Sequence, residues 1–305
     1  MNDNYIGPNP YITTVLCSNL PNTNDARPFS YNEWTEFYLR LSENKLDPTD
    51  FLDMNRNGII NTLNLEFITA ERIARLFSSK RLCLLSDMTD VLEMYGIYVL
   101  TCFDSAYPEK LQKNLLNLAP PLFYYAGALE LLSEPSIAFA ANRETDAESS
   151  EFAVNLAKAV FNDNVIYVMG HSGISYDVCD YVLASGGKAV MWASDDMIKQ
   201  YRTADIITGI EQRKLLIIST VPPNSMYTSE CANIRNLAFY TMADKIVVVK
   251  SKNTSGGTWT GIMRNFESNK NKIYCYNNPK FRGNTALIEK GAFPINSVED
   301  ISYRK

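Results

Sequence analysis

Ser255-Gly256-Gly257-Thr258 stands five residues beyond the apolar run Lys245–Lys250 (KIVVVK), and this pairing of residue types suits anion binding better than covalent chemistry. An unbroken apolar run fits a parallel strand covered on both faces, and Gly256-Gly257 lets the backbone turn sharply into a helix starting near Thr258. Such a turn aims several N–H groups at whatever lies above the helix N-terminus, where a phosphate fits. Gly170-His171-Ser172-Gly173-Ile174-Ser175 repeats the arrangement after the run Val165–Met169. In Ala140-Ala141-Asn142-Arg143 an arginine directly follows a buried run, and Arg235-Asn236 opens a helical run ahead of Lys245–Lys250. Arginine grips phosphate bidentately and asparagine reads a sugar or base edge, so Arg143, Arg235, Lys250 and Lys252 are the candidate phosphate contacts and Asn236 the candidate base contact. Each feature also has a plain structural reading: a tight turn for the glycines, a surface ion pair for Arg143.

These loops need elements to hold them. From Ile97 onward, short apolar runs (Ile97–Thr101, Ser136–Ala141, Val165–Met169, Ala189–Trp192, Leu215–Thr220, Lys245–Lys250 and Lys272–Tyr276) alternate with amphipathic segments such as Glu148–Phe161. Alternation of this kind predicts an α/β fold with a doubly wound, mostly parallel Rossmann-like sheet, whose ligands sit beyond the strand C-termini at the switch point. Before it, Ser30-Tyr31-Asn32-Glu33 has the form of a capping box, with Trp34, Phe37, Tyr38 and Leu41 at helical spacing. Further helices are expected after Thr69 and from Ser86 to Tyr95, closed by Gly96. The expected organisation is an extended arm over 1–29, a small all-helical domain over 30–96, the Rossmann-like domain over 97–296 and a short tail over 297–305.

The chain has 305 residues, 46% of them hydrophobic, and a net charge of −5. That charge argues against coating nucleic acid by bulk electrostatics. Its distribution is uneven: residues 1–200 hold 14 Lys and Arg against 26 Asp and Glu, whereas 201–305 hold 15 against 8. The excess of cations in the C-terminal part fits either ordinary surface solvation or a local anion-binding face there. No apolar run approaches membrane-spanning length and no signal peptide is evident, so a cytoplasmic location is expected. Six scattered cysteines without a C-x-x-C pair read as buried small hydrophobes. Asp53–Ile60 imitates the start of a calcium loop, but Asn64 replaces the glutamate required at position 12, so no metal is expected and no cofactor either.

Taken in order, these motifs resemble the DNA-processing protein A family, also called Smf. The family's core carries V-G-x-R, S-G-x-A-x-G-I-D, R-N-R ahead of a V-V-V strand, S-G-[ST]-L-x-T-A and G-x-N-x-L-I-x-x-G-A. Here Ala140–Arg143, Gly170–Ser175, Arg235-Asn236, Ser255–Gly261 and Gly283–Ala292 take these places over about residues 100–296, with Tyr107-Pro108 and Ala119–Gly127 similar to the lead-in. Departures fall in the crevice: Ala141 replaces a glycine, Leu237 the second arginine, Ser175 the aspartate, and Cys179 stands near a histidine position. The resemblance implies a single-stranded DNA-binding protein acting in DNA uptake, recombination or transformation, without chemistry of its own. It implies a homodimer and a RecA-type recombinase as partner. No winged-helix domain is expected after the core.

Two other functions fit parts of the pattern. Nucleoside monophosphate hydrolases resembling the lysine-decarboxylase-like phosphoribohydrolases use P-G-G-x-G-T-x-x-E, but the third residue after Thr258 is Gly261, so their carboxylate is missing. His171 beside Ser172 suggests a nucleophile pair, although adjacent residues rarely point together and no orienting group can be placed. A sensor binding a nucleotide-derived ligand in the same crevice needs the same loops and tolerates an acidic chain better.

Overall fold

A computed structural model describes residues 7–20, 26–52, 55–142, 144, 146–170, 173–202, 204–268, 271–297 and 299–302. The chain divides into two compact units at Tyr125/Ala126. The first holds α1 (Pro8–Cys17), α2 (Tyr31–Glu43), α3 (Arg56–Leu63), α4 (Ala70–Leu76), α5 (Ser79–Met94), β1 (Tyr98–Thr101), α6 (Glu109–Leu115) and most of β2 (Leu122–Gly127). β1 and β2 form an antiparallel ladder in which Tyr98 faces Tyr125.

Ser30 accepts from the Glu33 amide while the Glu33 carboxylate accepts from the Ser30 amide, the expected capping box of α2. Trp34, Phe37 and Leu41 are then buried at helical spacing, in one cluster with Phe29, Phe51, Ile73 and Leu76. Arg72 of α4 closes the cluster by donating to both Glu33 carboxylate oxygens at 3.0 Å and to the carbonyls of Pro28 and Phe67. Burial alone would raise the Glu33 pKa; the Arg72 and Ser30 hydrogen bonds outweigh it and pull the carboxyl down to about 2.

Two expectations are corrected in this unit. Residues 8–17 form α1, not an extended arm: Pro8 and Pro10 occupy the first turn, where missing N–H groups cost no helical bond. The helix expected from Ser86 begins at Ser79, because Ser78 caps it and Arg81, which breaks the apolar period, is buried and donates to the carbonyls of Leu76 and Ser18.

The second unit holds β3 (Ser136–Ala141), α7 (Ala147–Val160), β4 (Val165–Val168), α8 (Ile174–Ala184), β5 (Ala189–Ala193), α9 (Ala204–Glu211), β6 (Leu215–Ser219), α10 (Ser229–Met242), β7 (Lys245–Lys250), α11 (Gly256–Ser268), β8 (Lys272–Tyr276), α12 (Arg282–Glu289), β9 (Phe293–Ile295) and α13 (Glu299–Ser302). Its strands are ordered β6-β5-β4-β3-β7-β8-β9, all parallel. The chain winds outward from β3 and returns through α10 to β7, so the switch point lies between β3 and β7. α7 packs on α8 and α8 on α9, while α10 packs on α11, as right-handed crossovers running both ways from β3 require. Strands β3 to β7 are almost wholly buried, which explains their continuous apolar runs. This is the Rossmann-like sheet expected from the alternation.

β7 gains a residue against β3, so that Ala140 pairs with Val248 but Ala141 with Lys250, and this irregularity sits where the two strands part. Across β7 and β8 the fully buried Asn284 of α12 accepts from the Ser251 amide at 2.8 Å and donates to the carbonyls of Val249 and Tyr276 at 2.9 Å. Among the described residues no helix is long and apolar enough to cross a membrane.

Candidate nucleic-acid interface

At the C-terminal ends of β3, β4, β5 and β7 lies a crevice of about 660 Å³. Gly170, Ser194, Arg235, Asn236, Lys252 and the turn Ser255–Thr258 are among its lining residues. It therefore gathers loops that are up to 116 residues apart in sequence, from Asn142 to Thr258.

Its two glycine turns have the expected backbone. Gly256 has φ +85°, a left-handed conformation that lets Ser255 feed directly into α11, and a Cβ there would meet nothing. The helix begins at Gly256, two residues before the expected start at Thr258, so the amides of Gly256, Gly257 and Thr258 all belong to its unbonded first turn. At Gly257 the constraint is closeness: a Cβ would lie 2.9 Å from Asn236 Nδ2. The other turn has Gly170 at φ +73° and Gly173 at φ +56°, the latter as the N-cap of α8. His171, Ser172 and Arg143 lie outside the described residues.

Arg235 and Asn236 sit in the middle of α10 and do not open it. That helix begins at Ser229, where Thr228 accepts from the Cys231 amide. Arg235 is only 8% exposed: its Nε donates to Asn236 Oδ1 at 2.8 Å and its Nη1 to the carbonyl of Trp192, at the end of β5, at 2.6 Å. Asn236 Nδ2 lies 3.5 Å from the Gly257 carbonyl. The pair thus links β5, α10 and the glycine turn, and it forms part of the crevice wall.

The two lysines already have carboxylate partners. Lys250 Nζ is 2.6 Å from Asp146 Oδ2 and is absent from the crevice lining; Lys252 Nζ, which lines it, is 2.6 Å from Glu144 Oε1. Each lysine, through its hydrogen bond, holds its carboxyl below the usual range. Residues that sequence reasoning passes over also line the crevice, among them Asp195 and Tyr227. The buried Asn142 Oδ1, at the end of the Ala140–Arg143 motif, has no hydrogen-bond partner among the described residues.

A Cβ at Gly261 would lie 2.1 Å from the Tyr240 ring, so the place where the hydrolases carry a glutamate has no room for a side chain. Burial pushes the Cys179 thiol up to about 12, which keeps it protonated. Among the described residues no three His, Cys, Asp or Glu side chains gather closely enough to hold a metal ion.

A sheet wound both ways from β3, with glycine-turned helix N-termini at its switch point, defines a Rossmann-like α/β domain. More narrowly, the chain belongs to the DNA recombination-mediator protein A family, whose sequence model matches residues 98–304. Over 98% of both chains it superposes on DNA processing protein A from Streptococcus pneumoniae with a TM-score of 0.72 at 18% identity. DNA processing protein A from Helicobacter pylori, described for its single-stranded DNA binding mode, matches with a TM-score of 0.55 at 20% identity, over 67% of this chain and 93% of that one. At such identities the likeness is one of fold. No curated protein sequence matches at a significant level.

Proposed function

We propose that this protein binds single-stranded DNA in the switch-point crevice and acts in DNA uptake, recombination or recombinase loading without chemistry of its own. The observation that carries this reading is the convergence of two glycine-turned helix N-termini, those of α8 and α11, with the Arg235–Asn236 pair on one crevice. Backbone amides and a guanidinium take phosphates, and Asn142 Oδ1 and the Asn236 amide meet base or sugar edges. The H. pylori relative's binding mode supports the choice of a single strand. Contacts by Arg143, His171 and Ser172, a cytoplasmic location, a homodimer and a RecA-type partner belong to the same proposal. Fluorescence anisotropy of a labelled single-stranded oligonucleotide, at several salt concentrations and with a duplex control, tests it: saturable binding that prefers the single strand and weakens with salt is expected.

A second reading has its own support. A volume near 660 Å³ suits a small ligand, and Glu144 and Asp195 make the crevice less cationic than a strand would favour. A nucleotide-derived ligand would then saturate the site with a shallow salt dependence, and no oligonucleotide binding would be seen at low salt.

A further inference from the structure

Three lysines at or just beyond the C-terminal ends of β7 and β8 are each held by a different carboxylate from the start of α7 and the residues before it. Lys252 pairs with Glu144 at 2.6 Å, Lys250 with Asp146 at 2.6 Å, and Lys280 with Glu148 at 2.8 Å; Asn278 Nδ2 also donates to Glu148 at 2.8 Å. The lysines follow the ends of β7 and β8, adjacent strands, so the row starts at Lys252 in the crevice wall and runs outward across the sheet edge.

We propose that this lysine row is the path by which a single-stranded nucleic acid leaves the crevice, and that Glu144, Asp146 and Glu148 occupy it in place of phosphates while the site is empty. The inference rests on the single-strand reading of the crevice. A carboxylate accepts the same ammonium hydrogen bond as a phosphate oxygen, so the row is kept paired without a ligand. The pairs are open to exchange: Glu144 is 72% and Lys280 71% exposed, and ion pairs of this kind hold weakly. Release needs only side-chain movement, because Asp146 Oδ1 can keep its bond to the Ser149 amide at the α7 cap while Oδ2 lets go of Lys250. The Lys250 ammonium lies 5.2 Å from the centre of the Phe281 ring, which holds it in position when its carboxylate leaves. Each phosphate that binds here still sheds its condensed cations, but it frees a carboxylate that takes up a cation in turn, so the row flattens the salt dependence of binding.

The test compares the full-length wild type with the variant Glu144→Gln, Asp146→Asn, Glu148→Gln; the Asp146→Asn change keeps a side-chain oxygen to cap α7. Labelled 20-nucleotide and 4-nucleotide oligothymidylates are titrated between 50 and 200 mM NaCl. The variant is expected to bind the 20-mer roughly tenfold more tightly at low salt, with a log–log salt slope steeper by about 2, from three lysines at about 0.7 each for a single strand. A charge-matched variant, Asp163→Asn, Glu211→Gln, Glu289→Gln, made ahead of β4, β6 and β9 at the N-terminal ends of the strands, should change neither. Lys280→Gln, at an exposed site, should weaken the 20-mer severalfold and leave the 4-mer unchanged. Wild-type binding without tightening in the first variant, equal tightening in both charge variants, or equal effects of Lys280→Gln on the two oligonucleotides overturns the row and leaves the crevice reading standing. Failure of the wild type to bind either oligonucleotide overturns the crevice reading, and the row with it.

Discussion

Arg235 serves the fold before it serves any ligand. From sequence it is a phosphate contact whose removal weakens binding by roughly 1–3 kcal/mol and leaves the chain folded. Its bonds to Trp192 and Asn236 change that expectation. Arg235→Ala leaves a buried carbonyl without its donor and should lower stability by about 2 kcal/mol, read as a shift in the urea midpoint at constant m-value, alongside weaker oligonucleotide binding. Gly257→Ala separates the two effects. Its methyl presses on the Asn236 amide at the crevice wall, so binding should fall about tenfold with a stability change below about 1 kcal/mol, because a terminal amide can swing aside. Gly170, Gly256 and Gly257 are legible in the sequence because a left-handed or crowded turn admits little else. The carboxylate partners of Lys250 and Lys252 are not, since they lie 104 and 108 residues away and only the β3–β7 neighbourhood brings them in.

Strands and helices differ in how plainly the sequence writes them, for physical reasons. β3, β7 and β8 match their expected limits because buried parallel strands are written as unbroken apolar runs. β9 escapes the pattern: three residues including Pro294 give no period to detect. α10 starts earlier than its apolar run suggests because its first turns, Ser229 to Ile234, mix polar and apolar residues without a clear face. The contact between α10 and α11 depends on one small residue, since a Cβ at Gly261 would fall 2.1 Å from the buried Tyr240 ring. Gly261→Ala should therefore destabilise the chain by about 2–3 kcal/mol, although alanine is the better helix former, and a thermal melt would register the loss. An unchanged or higher Tm would show that the two helices can part at no cost.

For the molecule as a whole, sensitivity to acid should arise in the N-terminal unit. The folded-state pKa of Glu33 is depressed to about 2 from an ordinary value of 4.5, so its stabilising contribution is complete above about pH 5 and is lost as the pH falls toward 2. Glu33→Gln should flatten the dependence of stability on pH across that window while lowering stability at neutral pH, with Arg72 left without its bidentate partner. Denaturation curves collected from pH 7 to pH 2.5 would reveal both effects. In the second unit, Asn284 joins β7 to β8 through three buried backbone bonds. The Ser251 amide, one residue beyond the end of β7 and next to the crevice, donates to this side chain and not to a strand. Its exchange with deuterated solvent therefore requires the asparagine to let go. That single proton should act as a clock for the opening of the crevice wall, ticking at one rate in the free protein and more slowly with an oligonucleotide bound.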